Sequence, residues 1–154
     1  MPLNLIKVYN QLLEIDHMHP AERTKSLRAV FDRDIANNTS FRFRRKPIRP
    51  TTIDGQIPMD TLFTHLTTTV TDEKTKKREF ERDRSIRLHW IKHHIDEMKK
   101  DNMLVFSVID PNGKRTYIYD KQEFYVIILE PMRNTDEYYL LTAYHLNGGD
   151  KFKI

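Results

Sequence analysis

The sequence predicts an α+β fold, with helices in the front half and then one helix packed on a four-stranded antiparallel sheet. Three observations carry that prediction. Four β-rich runs, residues 103–109, 114–120, 123–130 and 138–146, follow one another at short, regular spacing, which favours a meander over parallel crossovers. Just before them, residues 85–100 place Leu88, Ile91, Ile95 and Met98 on one stripe, while Lys92, His93, Asp96 and Lys100 fall away from it, as in a helix covering a sheet. A chain of 154 residues is also long enough for a real core, burying roughly 70% of its unfolded surface.

The elements follow in chain order. Leu5, Val8, Leu12 and Ile15 have the spacing of one helical face, and Pro2 suits a first turn, so residues 3–15 predict a helix. A second helix is predicted from Pro20 through Leu27, Val30, Phe31 and Ile35, stopping at Asn37 and Asn38, which tolerate a left-handed end. Pro47, Pro50, Pro58 and the pair Asp54-Gly55 break regular hydrogen bonding, so residues 41–58 read as an extended arm or irregular loop. Residues 59–66 predict a brief helix. Residues 67–83 are almost wholly Thr and charge, with Val70 and Phe80 the only large apolar side chains, and read as a linker or a solvated helical extension. In the sheet, Asp110-Pro111-Asn112-Gly113 supplies a tight turn and Pro131 closes the third run. The apolar run at residues 124–129 predicts a central strand buried on both faces. The division expected is a helical, basic region over residues 1–80 and a sheet-bearing domain over residues 81–154.

Composition excludes several classes. With 38% apolar, 31% charged and 10% aromatic residues, the chain is too rich in Tyr, Phe and Ile for disorder and too polar for a membrane protein. No apolar run approaches the ~18 residues of a bilayer span, and the N-terminus lacks the features of a secretory signal, so a cytoplasmic protein without a membrane partner is expected. The absence of cysteine removes disulfides, thiol catalysis and Cys-based zinc sites, and the seven histidines have no carboxylates at ligand spacing, so no metal is expected. Four glycines are too few for most dinucleotide-binding turns, so no cofactor is expected either.

The 26 Lys and Arg against 22 Asp and Glu lean mildly toward anionic partners, and the excess is local. Residues 41–49 carry Arg42, Arg44, Arg45, Lys46 and Arg49 with Phe41 and Phe43 interleaved, cations for phosphates and rings for bases, which fits an RNA-contacting segment. A solubilising loop anchored by its two rings accounts for the same residues.

Candidate chemistry lies in the last strand and the helix before the sheet. Alternation sends Tyr138, Leu140, Thr142, Tyr144 and Leu146 to one face, so Thr142 and Tyr144 project side by side and could position a phosphate and donate to it. Thr and Tyr are also simply good strand formers. On the helix, Arg87, Trp90 and His94 flank the apolar stripe: Arg87 could fork onto a phosphate, His94 could act near neutral pH, and Trp90 could stack on a base or fill the core. His89 and His93 sit four apart on the far side and are expected in solvent. Arg133 lies in the loop before the last strand, where a scaffold often presents functional groups.

In order and spacing, residues 84–91 (RSIRLHWI), 116–119 (TYIY), 125–129 (YVIIL) and 140–144 (LLTAY) resemble the phage-encoded nucleases grouped with barnase, EndoU, colicin ribonucleases and RelE, the BECR fold. The resemblance covers about residues 82–147. It implies a helix on a four-stranded antiparallel sheet and metal-independent RNA cleavage in which the 2′-hydroxyl attacks the adjacent phosphate. It implies phosphate and transition-state contacts from Arg87 and Arg133, phosphate positioning by Thr142, proton donation or positioning by Tyr144, and His94 or His89 as general base. RNA is the implied substrate, and a cognate immunity or antitoxin protein an implied partner. A non-catalytic RNA-binding or phage accessory protein, or a structural protein whose front helices dimerise, are the alternatives.

Overall fold

A computed structural model describes residues 3–50, 58–111, 113–131 and 136–146. The architecture is α+β, as expected, but its main sheet has six strands where four were predicted. The predicted meander is present as β5 (Met103–Asp110), β6 (Gly113–Asp120), β7 (Tyr125–Pro131) and β8 (Tyr138–His145), each antiparallel to the next. Gly113 takes φ +127° at the β5–β6 turn, a conformation that favours glycine.

The two added strands come from the basic arm. β1 (Arg42–Phe43) and β2 (Lys46–Pro50) form a hairpin whose turn residues Arg44 and Arg45 both have positive φ, and β2 then runs parallel to β8. Prolines argued against a strand here, yet Pro47 precedes the ladder to β8, which starts at Ile48, and Pro50, opposite Leu140, ends the strand, while the N–H of Ile48 donates to Phe41 O (3.0 Å). Phe41 and Phe43 are buried in the core, each worth about 1.5–3 kcal/mol. The arm's exposed ion pairs, Arg44 to Glu97 at 3.0 Å and Lys46 to Asp136 at 3.3 Å, are worth ~0–1 kcal/mol each, so the rings hold the arm.

The helices predicted over residues 3–15 and 85–100 are shorter than the sequence implied. α1 (Pro20–Phe31) continues through a π-helical turn, Asp32–Ala36, and ends at Asn37 as read. Residues 3–15 make only one 3-10 turn, Leu3–Ile6, and then run irregularly through Asn10, whose φ is +62°. Val8 and Leu12, expected on a buried face, are exposed, because the segment's backbone serves other elements. Leu13 N–H bonds Ile86 O (2.9 Å), Trp90 Nε1 donates to Gln11 O (3.1 Å), and the Asn4 side chain clamps both backbone groups of Glu14. The predicted helix over residues 85–100 is broken into α3 (Arg82–Ser85) and α4 (Trp90–Ile95) by a tight turn whose N–H groups bond three residues back, as Leu88 to Ser85. Leu88, His89, Trp90 and Ile91 are all buried, so this stretch is packed between the sheet and the front segment and has no solvent face to give it a regular stripe. The brief helix predicted over residues 59–66 is α2 (Pro58–Thr67), and the residues read as linker form a hairpin, β3 (Thr68–Asp72) with β4 (Lys77–Phe80).

One core joins both halves of the chain: Phe31 and Ile35, Phe43, Leu66 and Trp90 pack with Ile127 and Leu140 of the sheet. β7 is buried on both faces from Tyr125 to Leu129, as its unbroken apolar run implied. Asp120, at the end of β6, ties the layers together. Its carboxylate has no solvent exposure and accepts from Tyr9 Oη (2.6 Å), His94 Nε2 (2.8 Å), Lys99 Nζ (2.6 Å) and the backbone N–H groups of Gln122 and Glu123 (3.1 Å each). Burial alone would raise the Asp120 pKa, but these donors outweigh it and hold the carboxyl well below its usual range. Among the described residues no helix is long and apolar enough to cross a membrane.

Asp120→Ala strands a lysine, a histidine and a phenol without their shared acceptor, and is expected to cost roughly 3–5 kcal/mol by urea denaturation. Tyr9→Phe removes one donor and is expected to cost about 1 kcal/mol.

Candidate functional site

A cleft of about 490 Å³ opens between the β3–β4 hairpin, the end of α2 and the face of the sheet opposite the main core. His65 of α2, Arg78 of β4, Arg84 of α3, Arg115 of β6, and Thr142 and Tyr144 of β8 line it, with Ile128 and Leu141 among its apolar walls. A bulge in β8 makes this possible. Leu129 pairs with Leu140 and Ile128 with Thr142, so Leu141 is an extra residue that reverses the alternation. Leu140 and Ala143 therefore join the main core, while Leu141 and Tyr144 pack with the cluster on the other face. The single-face arrangement read for Tyr138, Leu140, Thr142 and Tyr144 does not hold across the bulge.

Local structure aims Arg84. Glu81 caps α3 by accepting from Asp83 N (2.8 Å) through one oxygen and holds Arg84 Nε (3.2 Å) through the other. Arg84 Nη1 donates to His65 O (2.9 Å) and Thr142 Oγ1 (3.4 Å), and its guanidinium lies 5.7 Å from the Tyr144 ring centre. Arg78 is held by Thr68, through Oγ1 (2.8 Å) and the carbonyl (2.9 Å). Glu81 N and Ser85 Oγ both bond Thr67 O, which fixes α3 to the end of α2.

The charges in the cleft crowd one another. Burial, then the fields of Arg78 and Arg84, lower the His65 pKa and so favour its neutral imidazole. Burial, then Arg84, also lowers that of Arg78. Glu73 is the acid lining the same space. An anion entering the cleft relieves this crowding, Thr142 and Tyr144 offer hydroxyl donors, and His65 offers a basic nitrogen. Among the described residues, no three His, Asp or Glu side chains are placed to share a metal ion.

The structure divides the residues singled out in the sequence. Thr142 and Tyr144 line the cleft together; Arg87, His89 and His94 do not. Arg87 turns back along its own chain, donating to Asp83 O (2.7 Å) and lying 5.3 Å from the Trp90 ring, with its pKa lowered by burial. His89 was expected in solvent on one reading and as a base on the other. It is 5% exposed, with Nε2 3.2 Å from Val8 O, and burial lowers its pKa to about 4. His94 is enclosed between Asp120 and the Trp90 carbonyl (2.7 Å). Trp90 is core, as its bulk allowed. Arg133 lies outside the described residues. Arg42, Arg44, Arg45, Lys46 and Arg49 stay on the arm, and none of them lines the cleft: Arg42 and Arg49 border a second hollow of about 480 Å³ and Arg44 a third of about 400 Å³.

His65, Arg78, Arg84 and Arg115 were not read as functional. Arg115 was within reach of sequence reasoning, because it shares the β6 parity of Tyr117 and so the face of Thr142. Arg78 arrives through the packing of a segment that looked like a linker, and His65 through the packing of the predicted helix before it. Compared with protein-family models, curated proteins and solved structures, the chain matches none.

The ring protons of His65, followed by NMR, are expected to titrate below the ordinary imidazole value of about 6.5, and Arg84→Gln should raise the midpoint. A wild-type midpoint at or above that value would refute the crowding. For His89 the folded pKa lies below the unfolded one, so its contribution is complete above about pH 6.5 and is lost as pH falls toward about 4, roughly 3 kcal/mol in all. His89→Gln keeps a donor for Val8 O, and unfolding free energies measured across that window should lose this slope.

Proposed function

We propose that this protein is a metal-independent endoribonuclease that cleaves RNA by attack of a 2′-hydroxyl on the adjacent phosphate. One observation carries the reading: Thr142, Tyr144, three arginines and a histidine of lowered pKa line one cleft large enough for a nucleotide phosphate. The reading also draws on the BECR resemblance of residues 82–147, although the main sheet has six strands where that resemblance implies four, and the toxin-like descent and the inhibitor partner rest on that resemblance alone. In this scheme, His65 takes the 2′-hydroxyl proton as the O2′–P bond forms. Arg84, Arg78 and Arg115 hold the non-bridging oxygens as charge builds on them, and Thr142 positions the phosphate. Tyr144 gives a proton to the 5′-oxygen as the P–O5′ bond breaks, which leaves a 2′,3′-cyclic phosphate and a 5′-hydroxyl. Arg84 here takes the role that the sequence assigned to Arg87, and His65 the role assigned to His94 or His89.

The test is incubation of purified protein with mixed single-stranded RNA in EDTA. Products bearing cyclic phosphate and 5′-hydroxyl ends are expected. Arg84→Gln should lower kcat by about two orders of magnitude, the ~3 kcal/mol typical of a lost oxyanion donor, and Thr142→Ala and Tyr144→Phe should also lower it. Binding without cleavage at any pH would overturn the enzyme in favour of a binding module.

A further inference from the structure

The sheet face that bears Thr142 continues beyond the cleft. Thr142 pairs with Ile128, Ile128 with Tyr117, and Tyr117 with Phe106, so these four residues form one row across β8, β7, β6 and β5. Tyr117 lies two strand spacings from Thr142, roughly 10 Å, and Phe106 one spacing further. Their rings are stacked, with centres 5.2 Å apart and planes 10° from parallel, and both side chains are half-buried. Leu104 and Val108, which flank Phe106 on the same face, are 43% and 41% exposed, so solvent reaches this surface. Arg115, two residues from Tyr117 on β6, is part of the cleft wall and joins it to the ring pair.

The geometry points to Tyr117 and Phe106 as a stacking platform for the bases of single-stranded RNA whose phosphate occupies the cleft, an inference that rests on the function proposed above. The charge of the adjoining cleft selects a polyanion, since Arg78, Arg84 and Arg115 face it with Glu73 as the acid. The paired flat rings select a polyanion that carries planar groups. A duplex hides those faces in its own stack, so the strand must be single. The site is a run of adjacent subsites: phosphate at Thr142 and Arg84, then bases over β6 and β5.

The test uses a 2′-O-methyl oligouridylate, which binds but cannot be cut by 2′-hydroxyl attack. Tyr117→Leu and Phe106→Leu keep apolar bulk and remove the ring. Each should weaken binding of this probe roughly tenfold, and Tyr117→Trp should restore it. KM for single-stranded RNA should rise in both leucine variants. Unchanged probe affinity in correctly folded leucine variants, checked by thermal melting, overturns the platform even where RNA is still cleaved. Ring-dependent binding without cleavage by the wild type keeps the platform and overturns the nuclease. Duplex RNA binding as tightly as the single strand, or a polyglutamate peptide binding as tightly as the probe, overturns the platform.

Discussion

The buried carboxylate of Asp120 is the constraint on which the arrangement of layers depends. A charge without solvent contact is tolerated only when donors replace its water, and the five around Asp120 come from the front segment, α4, the following loop and the adjoining turn. Tyr9 reaches across the molecule to it, and the Tyr9 ring stacks on His93 at 4.4 Å and meets Trp90 edge-on at 5.1 Å. The irregular front segment is thereby fixed over α4. With α4 in place, α3 lies at the other end of the tight turn, and Arg84 is directed to the sheet rather than into solvent.

Two histidines that looked suited to catalysis are used for this architecture. His94 places both ring nitrogens against acceptors, and His89 is covered by Val8, so neither ring reaches the cleft. The titratable ring beside the hydroxyl pair is His65, in the last turn of a helix that contributes Leu62 and Leu66 to the core and turns His65 toward the cleft. Enclosure together with two guanidinium neighbours lowers its pKa, so the groups that would attract a phosphate also favour an unprotonated base. The β8 bulge contributes equally, because without the extra residue Thr142 would share a face with core-bound Leu140.

The legible parts of the sequence were those governed by local pattern. The four-strand meander, the Gly113 turn, the doubly buried β7 and the end of α1 near Asn37 follow from alternation, turn chemistry and apolar runs, which are written in neighbouring residues. Patterns failed where distant segments meet. Val8 and Leu12 have helical spacing, but their backbone is drawn into bonds with Trp90, His89 and the α3–α4 turn. The prolines of the arm argued against a strand, but Phe41 and Phe43 bury enough apolar surface to seat β2 beside β8.

What the sequence determined by itself was the α+β class and the order of the sheet strands in the second half, because each depends on residue type and period within one element. Tertiary structure decided which charged groups stand beside Thr142 and Tyr144. Arg84 was chosen over Arg87 by a helix broken at Ile86, Arg78 was added by a hairpin folded from an apparent linker, and His65 by the packing of α2 beside it. Side-chain direction after a break in regular structure depends on what the chain packs against, and that information is spread over residues far apart in sequence.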